Sequence, residues 1–230
     1  MPSKVKEETT VIIPALNEEE GIGLTVNEIK RLPYVREIIV VDGGSVDGTA
    51  EIAEKTGARV LIERNTGKGS AIYQGIKHLN SNVQYVVFTD ADFTYPAEFI
   101  PKMVNILEEN NDVGMVIGNR FGGSNFEKSP TDPFYISNRM IANLQHLIGG
   151  IKLSDPLSGL RVVRAELLKE WEPKSKGFDI EVEFNFHVER KGYRIVEIPI
   201  NHRSRLGKKK FNFRRGINLL GKIIGLRFRE

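Results

Sequence analysis

The chain has 230 residues, of which 40% are hydrophobic and 27% charged, and its formal net charge at pH 7 is +3. This length and composition predict a globular protein of one domain, or of one domain with an appendage. The absence of cysteine excludes disulfides, thiolate metal sites and a cysteine nucleophile. The charged segment 1–10 predicts no secretory signal, and no stretch approaches the roughly 20 apolar residues of a membrane-spanning helix.

The charge is divided unevenly between the body of the chain and its C-terminal end. Residues 203–230 contain ten Lys or Arg and one Glu, a net charge of +9, whereas residues 1–202 carry −6. Such a basic tail predicts an anionic partner, which is a membrane surface, a nucleic acid or a phosphate group.

Short apolar runs alternate with helical patterns in the first half of the chain. We predict strands at 9–13, 37–41, 58–62, 84–89 and 114–118. We predict helices near 19–31, 47–56, 68–78 and 96–109. This alternation predicts an α/β fold with a mostly parallel, doubly wound sheet flanked by helices and joined by right-handed crossovers.

The second half of the chain is less clearly patterned. We predict a loop at 130–133, an amphipathic helix at 135–148 and a strand at 193–200. Between residues 180 and 188, apolar and polar residues alternate strictly, which by periodicity indicates a strand. The run is long and rich in Glu, so a helix remains open.

Two aspartates follow the apolar run at 85–88. Asp90 and Asp92 are expected at the carboxyl edge of the sheet, where open α/β folds bind their ligands. Two carboxylates held together repel each other, so the pair favours a cation. Oxygen ligands suit Mg²⁺ or Mn²⁺, which bind commonly together with substrate phosphates. The alternative is an acidic loop without a metal.

Two further strand tips carry polar or small residues, in segments 12–18 and 40–49. A nucleotide fits there, because Asp42 can accept hydrogen bonds from a base or ribose and glycines permit close backbone approach. The alternative for each tip is a capped helix start. Segment 65–70 lacks the spacing of a phosphate-binding loop, so Lys68 either contacts a phosphate or is solvated.

These motifs together resemble the family 2 glycosyltransferases with the GT-A fold. Within that family the chain is similar to the dolichyl- or polyprenyl-phosphate hexose synthases, the group that includes dolichol-phosphate mannose synthase. The motifs that carry the resemblance span nearly the whole chain, at 11–18, 40–43, 67–69, 89–92, 118–120, 154–159, 177–178 and 203–210.

The resemblance implies a GT-A domain at 1–203, a basic tail at 204–230 and a role for each matched residue. The nucleotide- and phosphate-binding residues would be Pro14, Asn17, Glu18, Asp42, Lys68 and Asp90. Asp92, with Asp90 beside it, would hold the Mg²⁺ or Mn²⁺ ion. Arg120, Arg139, Arg205 and Lys210 would surround the acceptor and donor phosphates. Asp155 would lie near the reacting centre or hold a loop in place.

Three positions depart from the pattern of close mannosyl relatives. Leu16 stands where a Tyr is usual, Gly43 where a second Asp is usual, and Thr94 where a Gln is usual. These departures leave the donor open between UDP- and GDP-sugars and between different hexoses.

A lipid phosphate acceptor determines the expected chemistry. The phosphate is already anionic and needs cationic positioning instead of a general base, so we predict a single displacement that inverts the anomeric carbon. An alternative is a soluble family 2 enzyme with a hydroxyl acceptor, for which Asp179 or Glu181 could act as the base. A third reading is a catalytically silent nucleotide-sugar-binding module.

The tail predicts where the protein acts. Phe213, Ile217, Leu220, Ile224 and Phe228 recur at helical spacing among basic residues, which indicates a basic amphipathic helix. Such a helix can lie in a membrane interface, and we expect a peripheral protein on the cytoplasmic face. The alternative is a stripe that packs on the domain itself. Nucleic-acid binding is not expected.

Overall fold

The computed structural model describes residues 9–64, 67–123, 132–207 and 223–226. The strands are β1 (Thr9–Ala15), β2 (Val35–Asp42), β3 (Arg59–Ile62), β4 (Tyr85–Phe88), β5 (Val113–Asn119), β6 (Arg161–Arg164) and β7 (Arg194–Pro199). The helices are α1 (Glu19–Lys30), α2 (Thr49–Thr56), α3 (Lys68–Lys77), α4 (Ile100–Glu109), α5 (Pro133–Gly149) and α6 (Ile180–Arg190). Short 3₁₀ turns at Ala97–Phe99 and Ala165–Leu167 precede α4 and follow β6.

The seven strands form one mostly parallel sheet in the order β3-β2-β1-β4-β6-β5-β7. The six strands predicted at 9–13, 37–41, 58–62, 84–89, 114–118 and 193–200 are present, with ends shifted by no more than two residues. The predicted loop at 130–133 falls partly outside the described residues, and Pro133 already belongs to α5. β6 was not predicted, and it runs antiparallel between β4 and β5. The α/β fold expected from the sequence is therefore confirmed, with one reversed strand.

The central strands are buried on both faces, which explains why their sequences are continuous apolar runs. In β1, Ile12 packs with α3, α5 and α6 on one face of the sheet. Val11 and Ile13 pack with α1 and α4 on the other. Fully burying an aliphatic side chain of this kind stabilises the fold by about 1.5–3 kcal/mol.

Residues 180–190 form a helix, so the strand indicated by their periodicity is wrong. The helix α6 is buried almost all round, and its polar side chains have partners inside the protein. Glu183 accepts hydrogen bonds from the backbone N–H groups of Lys174 and Ser175, at 2.8 and 2.7 Å. Asn185 accepts from Arg161 at 2.7 Å. Because these polar residues are satisfied by tertiary contacts, their alternation does not mark a solvent-exposed face.

Only residues 223–226 of the predicted C-terminal helix are described, and they are helical. Ile223 and Leu226 are buried in the core, where Arg190 donates a hydrogen bond to the carbonyl of Leu226. Ile224, which belongs to the predicted apolar stripe, is 52% exposed. The rest of the stripe lies outside the described residues. No helix within the described ranges is long and apolar enough to cross a membrane.

Candidate active site at the carboxyl edge of the sheet

Three strand tips meet at one edge of the sheet, as the sequence predicted. The parallel strands β2, β1 and β4 are neighbours, with Ala15 paired to Asp42 and Ile12 paired to Phe88. The loops that follow these strands therefore open on the same side, and Asp90 lies two residues beyond the end of β4.

The loops after β1 and β2 are joined to each other by hydrogen bonds. Asn17 has a left-handed backbone with φ of 49°. Its N–H donates to the Ser45 hydroxyl at 2.8 Å, and its side-chain oxygen accepts from the N–H of Val46 at 2.9 Å. The N–H of Glu18 donates to the Thr49 hydroxyl at 2.7 Å. These contacts hold the two loops as one wall of the crevice.

Asp42 organises its own loop. One carboxylate oxygen accepts from the N–H groups of Gly44 and Ser45 at 3.0 and 2.9 Å, and the other accepts from the Ser45 hydroxyl. The residue is only 2% exposed. Its carboxylate therefore shapes the loop that would face a nucleotide.

Lys68 is neither solvated nor placed in a phosphate loop. Its ammonium group donates to Asp90 at 2.7 Å and to Glu181 at 2.6 Å, and its side chain is only 14% exposed. Burial alone would lower the pKa of Lys68, but the two carboxylates raise it above its usual value. The pKa of Asp90 is lowered because the charge of Lys68 outweighs the effect of burial. Pro14 lines the same small pocket.

The glycines beside Lys68 are required by close packing. A Cβ atom on Gly67 would lie 2.3 Å from the carbonyl oxygen of Lys176, and one on Gly69 would lie 2.0 Å from that of Ser175. The N-terminus of α3 therefore presses against segment 175–177, and this contact directs Lys68 inward to Asp90.

Asp92 is buried and is bonded through both of its oxygens. One oxygen accepts from the N–H and the hydroxyl of Thr94, at 3.2 and 2.6 Å. The other accepts from Arg205, whose guanidinium group also donates to Glu18. Burial, followed by the charge of Asp90, raises the pKa of Asp92 despite these bonds.

This donor set fits a metal that is shared with a substrate. The described residues contain no group of three or more His, Cys, Asp or Glu side chains arranged to hold a metal by themselves. Asp90 and Asp92 can supply only part of a coordination shell, and Mg²⁺ is commonly held by one or two carboxylates together with substrate phosphates and water. Burial and the neighbouring Asp90 raise the pKa of Asp92, and a cation bound there would oppose that rise.

Arg120 lies beside the crevice and forms an ion pair with Asp155. The guanidinium group donates to both oxygens of Asp155, at 2.7 and 2.6 Å, and packs over the ring of Phe134 at 4.8 Å. Burial opposes the charge of Arg120, but the fully buried Asp155 raises its pKa above the usual value. Glu197 in turn accepts from the N–H of Asp155 at 2.7 Å. This geometry supports a loop-holding role for Asp155.

Arg161 is fully buried and was missed in the sequence analysis. It donates to the carbonyl oxygens of Pro156 and Ser158 at 2.6 and 2.9 Å, and so pins the loop that carries Asp155. Gly159 in that loop lies so close to Asp90 that a Cβ atom would be 2.6 Å from the carboxylate. No local pattern marks this arginine as buried, since its third acceptor, the side chain of Asn185, is 24 positions away in the sequence.

Of three remaining residues, two are described by the structure. His202 packs edge-on against Tyr95 with ring centroids 5.2 Å apart, and it was also missed from the sequence. Arg139 is exposed on α5 and, within the described parts of the chain, makes no hydrogen bond or ion pair with the other site residues. Lys210 lies outside the described residues.

Comparison with known sequences identifies relatives of this architecture. The family described as glycosyl transferase family 2 matches residues 10–171. A dolichyl-phosphate hexose transferase of Haloferax volcanii is 32% identical over 222 residues, which cover 95% of this chain and 92% of the relative. An undecaprenyl-phosphate mannosyltransferase of Micrococcus luteus is 31% identical over 217 residues, covering 87% of this chain and 86% of the relative.

A solved structure shares the fold over nearly the whole length. Glucosyl-3-phosphoglycerate synthase from Mycobacterium tuberculosis, in complex with Mn²⁺, UDP-glucose and phosphoglyceric acid, superposes with a TM-score of 0.74. The match has 26% sequence identity and covers 97% of this chain and 79% of that protein.

Proposed function

Because the chain belongs to family 2 of the glycosyltransferases, we propose that it transfers a hexose from a nucleoside diphosphate sugar to dolichyl or polyprenyl phosphate. The names of two relatives that align over most of their length, a dolichyl-phosphate hexose transferase and an undecaprenyl-phosphate mannosyltransferase, support this acceptor class. UDP-glucose in the related synthase complex supports a nucleotide-sugar donor.

The observation that carries the proposal is the burial and ion pairing of the acidic residues around the crevice. Asp155 is 0% exposed and Glu181 is 4% exposed, and each is ion-paired, to Arg120 and to Lys68. A carboxylate that is buried against a cation cannot readily take a proton from an incoming hydroxyl group. A phosphate acceptor needs no such base. This arrangement therefore argues against Glu181 as the base of a hydroxyl-acceptor enzyme.

The proposed reaction is a single displacement. A phosphate monoester carries a charge of about −1.5 to −2 at neutral pH, so one of its oxygens can attack the anomeric carbon without losing a proton. The new carbon–oxygen bond forms as the bond to the nucleoside diphosphate breaks on the opposite face, which inverts the anomeric centre. Arg120 and Arg205 would hold the acceptor and donor phosphates through their N–H donors.

Asp92, with Asp90 beside it, would hold the Mg²⁺ or Mn²⁺ ion. When bound, the ion neutralises the charge that develops on the departing diphosphate. Thr94 orients Asp92 for this task through its 2.6 Å hydrogen bond. Asn17, Asp42 and the loops that they organise would form the nucleotide wall.

The test is transfer of labelled sugar to a lipid acceptor. The protein is incubated with Mn²⁺ or Mg²⁺ and with labelled UDP-glucose, UDP-N-acetylglucosamine or GDP-mannose, in the presence of dolichyl phosphate. The matched control acceptor is dolichol, which has the same chain and a hydroxyl group. Label should enter the organic phase with dolichyl phosphate and not with dolichol. Transfer to dolichol, or only to soluble acceptors, would support the hydroxyl-acceptor alternative.

The metal role has its own control variant. Asp92→Asn keeps the size of the side chain and removes its charge, so turnover should be lost while the far-ultraviolet circular dichroism is unchanged. Full activity of this variant would refute the assignment of Asp92.

We also propose that the basic tail binds an anionic membrane surface. Juxtamembrane Lys and Arg contribute about 1 kcal/mol each near such a surface. Changing Arg214, Arg215, Arg227 and Arg229 to Gln should therefore weaken binding to vesicles that contain phosphatidylserine, and leave binding to neutral vesicles unchanged. Unaltered binding to both would favour a tail that packs on the domain.

A further inference from the structure

Arg205 joins two carboxylates that come from different strand tips. Its guanidinium group donates to Asp92, beyond β4, and to Glu18, beyond β1. Its side chain is 24% exposed, whereas those of Asp92 and Glu18 are 7% and 8% exposed. The arginine thus closes the rim of the site over two nearly buried negative charges.

The segment that carries Arg205 is fastened to the same turn as Asp92. The N–H of Arg203 donates to the carbonyl of Thr94 at 2.9 Å, and the N–H of Leu206 donates to that of Asp92 at 3.3 Å. The Arg203 guanidinium lies 4.3 Å from the ring centroid of Phe93 and makes two hydrogen bonds to Glu28, at 2.7 and 2.8 Å. The backbone of Arg205 is therefore held in place, and its side chain can reorient by torsion alone.

A divalent cation at Asp92 needs a carboxylate oxygen, and both oxygens already accept hydrogen bonds. One oxygen is bonded to Thr94, deep in the turn, and the other to Arg205 at the rim. Since the Arg205 side chain is more exposed than that of Asp92, an incoming ion would reach the oxygen bonded to Arg205 by displacing that side chain. A guanidinium group and a divalent cation on one carboxylate repel each other strongly where water is largely excluded.

We propose that Arg205 is the resident counter-ion of Asp92, and that a divalent cation displaces it. The inference rests on the proposed function, since the ion concerned is the one that accompanies the donor. Displaced from Asp92, the guanidinium keeps its contact with Glu18 but has free N–H donors, for which a diphosphate is a suitable bidentate partner. Metal binding and diphosphate binding are therefore coupled through one side chain, and Arg205 discriminates against a metal that arrives alone.

The experiment measures metal binding and does not depend on turnover. Free Mn²⁺ is followed by electron paramagnetic resonance in titrations of the wild type, Arg205→Gln, Asp92→Asn and Arg194→Gln. Arg194 provides the matched control, because its guanidinium pairs with Asp112 on the surface, where both side chains are more than half exposed. Circular dichroism and thermal unfolding confirm that each variant is folded.

Arg205→Gln should bind Mn²⁺ alone about tenfold more tightly than the wild type, because a competing charge has been removed. Asp92→Asn should bind it much more weakly, and Arg194→Gln should match the wild type. Adding UDP or GDP should strengthen Mn²⁺ binding in the wild type by a larger factor than in Arg205→Gln, since only the wild type has a guanidinium to transfer to the diphosphate.

Two results would overturn the inference, and they differ in whether the metal role of Asp92 also fails. In the first, Arg205→Gln binds Mn²⁺ no more tightly than the wild type while Asp92→Asn still loses binding. In that case Asp92 is a metal ligand, and the proposed exchange of Arg205 for the metal ion is wrong. If Asp92→Asn binds Mn²⁺ like the wild type, the exchange and the metal role both fail. In either case the lipid-transfer assay decides separately whether the proposed acceptor is correct.

Discussion

Removing the charge of Lys68 should destabilise the protein strongly. Lys68→Met keeps a side chain of similar length and apolar character but leaves Asp90 and Glu181 without their shared cation. Their side chains are 31% and 5% exposed, and the Lys68 side chain is 14% exposed. Removing one partner of a buried ion pair costs about 3–5 kcal/mol, because an uncompensated buried charge remains. For a chain of this length, that corresponds to a fall in melting temperature of roughly 6–20 °C.

The pH dependence has a definite sign. The folded-state pKa of Lys68 is raised above 10.5, so its stabilisation is complete below that pH and is lost as the pH rises further. The folded-state pKa of Asp90 is lowered below 3.8, so its stabilisation is complete above that pH and is lost on acidification. Both contributions are fully present at pH 7, where the variant should show its full loss.

The assay is urea unfolding followed by the fluorescence of Trp171, the one tryptophan in the sequence. This residue is buried, and its ring centroid lies 4.7 Å from that of His187, on which it stacks, and 4.3 Å from that of Phe184. Unfolding should therefore change its emission. The control is Lys55→Met, which breaks an ion pair whose side chains are 73% and 68% exposed. We expect a loss of at most about 1 kcal/mol there.

A second variant identifies the cause. Glu181→Gln combined with Lys68→Met removes one of the two orphaned charges and should recover part of the lost stability. Equal losses for Lys68→Met and Lys55→Met would refute the reasoning, because they would mean that burial does not determine the strength of the ion pair.

Three further predictions concern residues around the acidic pair. Gly159→Ala places a methyl group 2.6 Å from the Asp90 carboxylate, so activity should fall about 100-fold in a folded protein; wild-type turnover would contradict this. Thr94→Val removes a hydrogen bond to Asp92 worth about 1 kcal/mol and should weaken Mn²⁺ binding about fivefold, as measured by calorimetry. Burial and the charge of a nearby guanidinium lower the pKa of His202 to about 4 from 6.5. The unfolded chain then binds the extra proton between these pH values, so His202 should lower the stability as the pH decreases from 6.5 to 4, and His202→Gln should reduce that slope in chemical unfolding curves.

Several elements of the fold follow from local signals in the chain. The apolar runs of β1, β2 and β4 and the helical patterns between them are sufficient to predict parallel strands, because each pattern is set by neighbouring residues. Parallel connection then places the three carboxyl ends together, and Asp42, Asp90 and Asp92 come to one edge for that reason. The resemblance to the family rests on these tips together with the later motifs at 118–120, 154–159, 177–178 and 203–210.

The partners of the site residues depend on contacts between distant segments. Lys68 meets Glu181 across 113 positions, and Arg205 meets Glu18 across 187. No local pattern distinguishes these charged residues from solvated ones. The sequence therefore does not decide whether Lys68 contacts a phosphate or is a solvated surface residue. Nor does a local pattern mark Arg161 as buried, since it donates to the side chain of Asn185, 24 positions away.

The sequence by itself determined the alternating α/β order, the shared edge of the acidic strand tips and the family. Tertiary structure alone decided that 180–190 is a helix, that β6 runs antiparallel, and that Arg205 covers Asp92. The physical reason is the same throughout. Backbone periodicity reports burial on one face, whereas a buried polar residue is stable only beside a partner that folding brings to it.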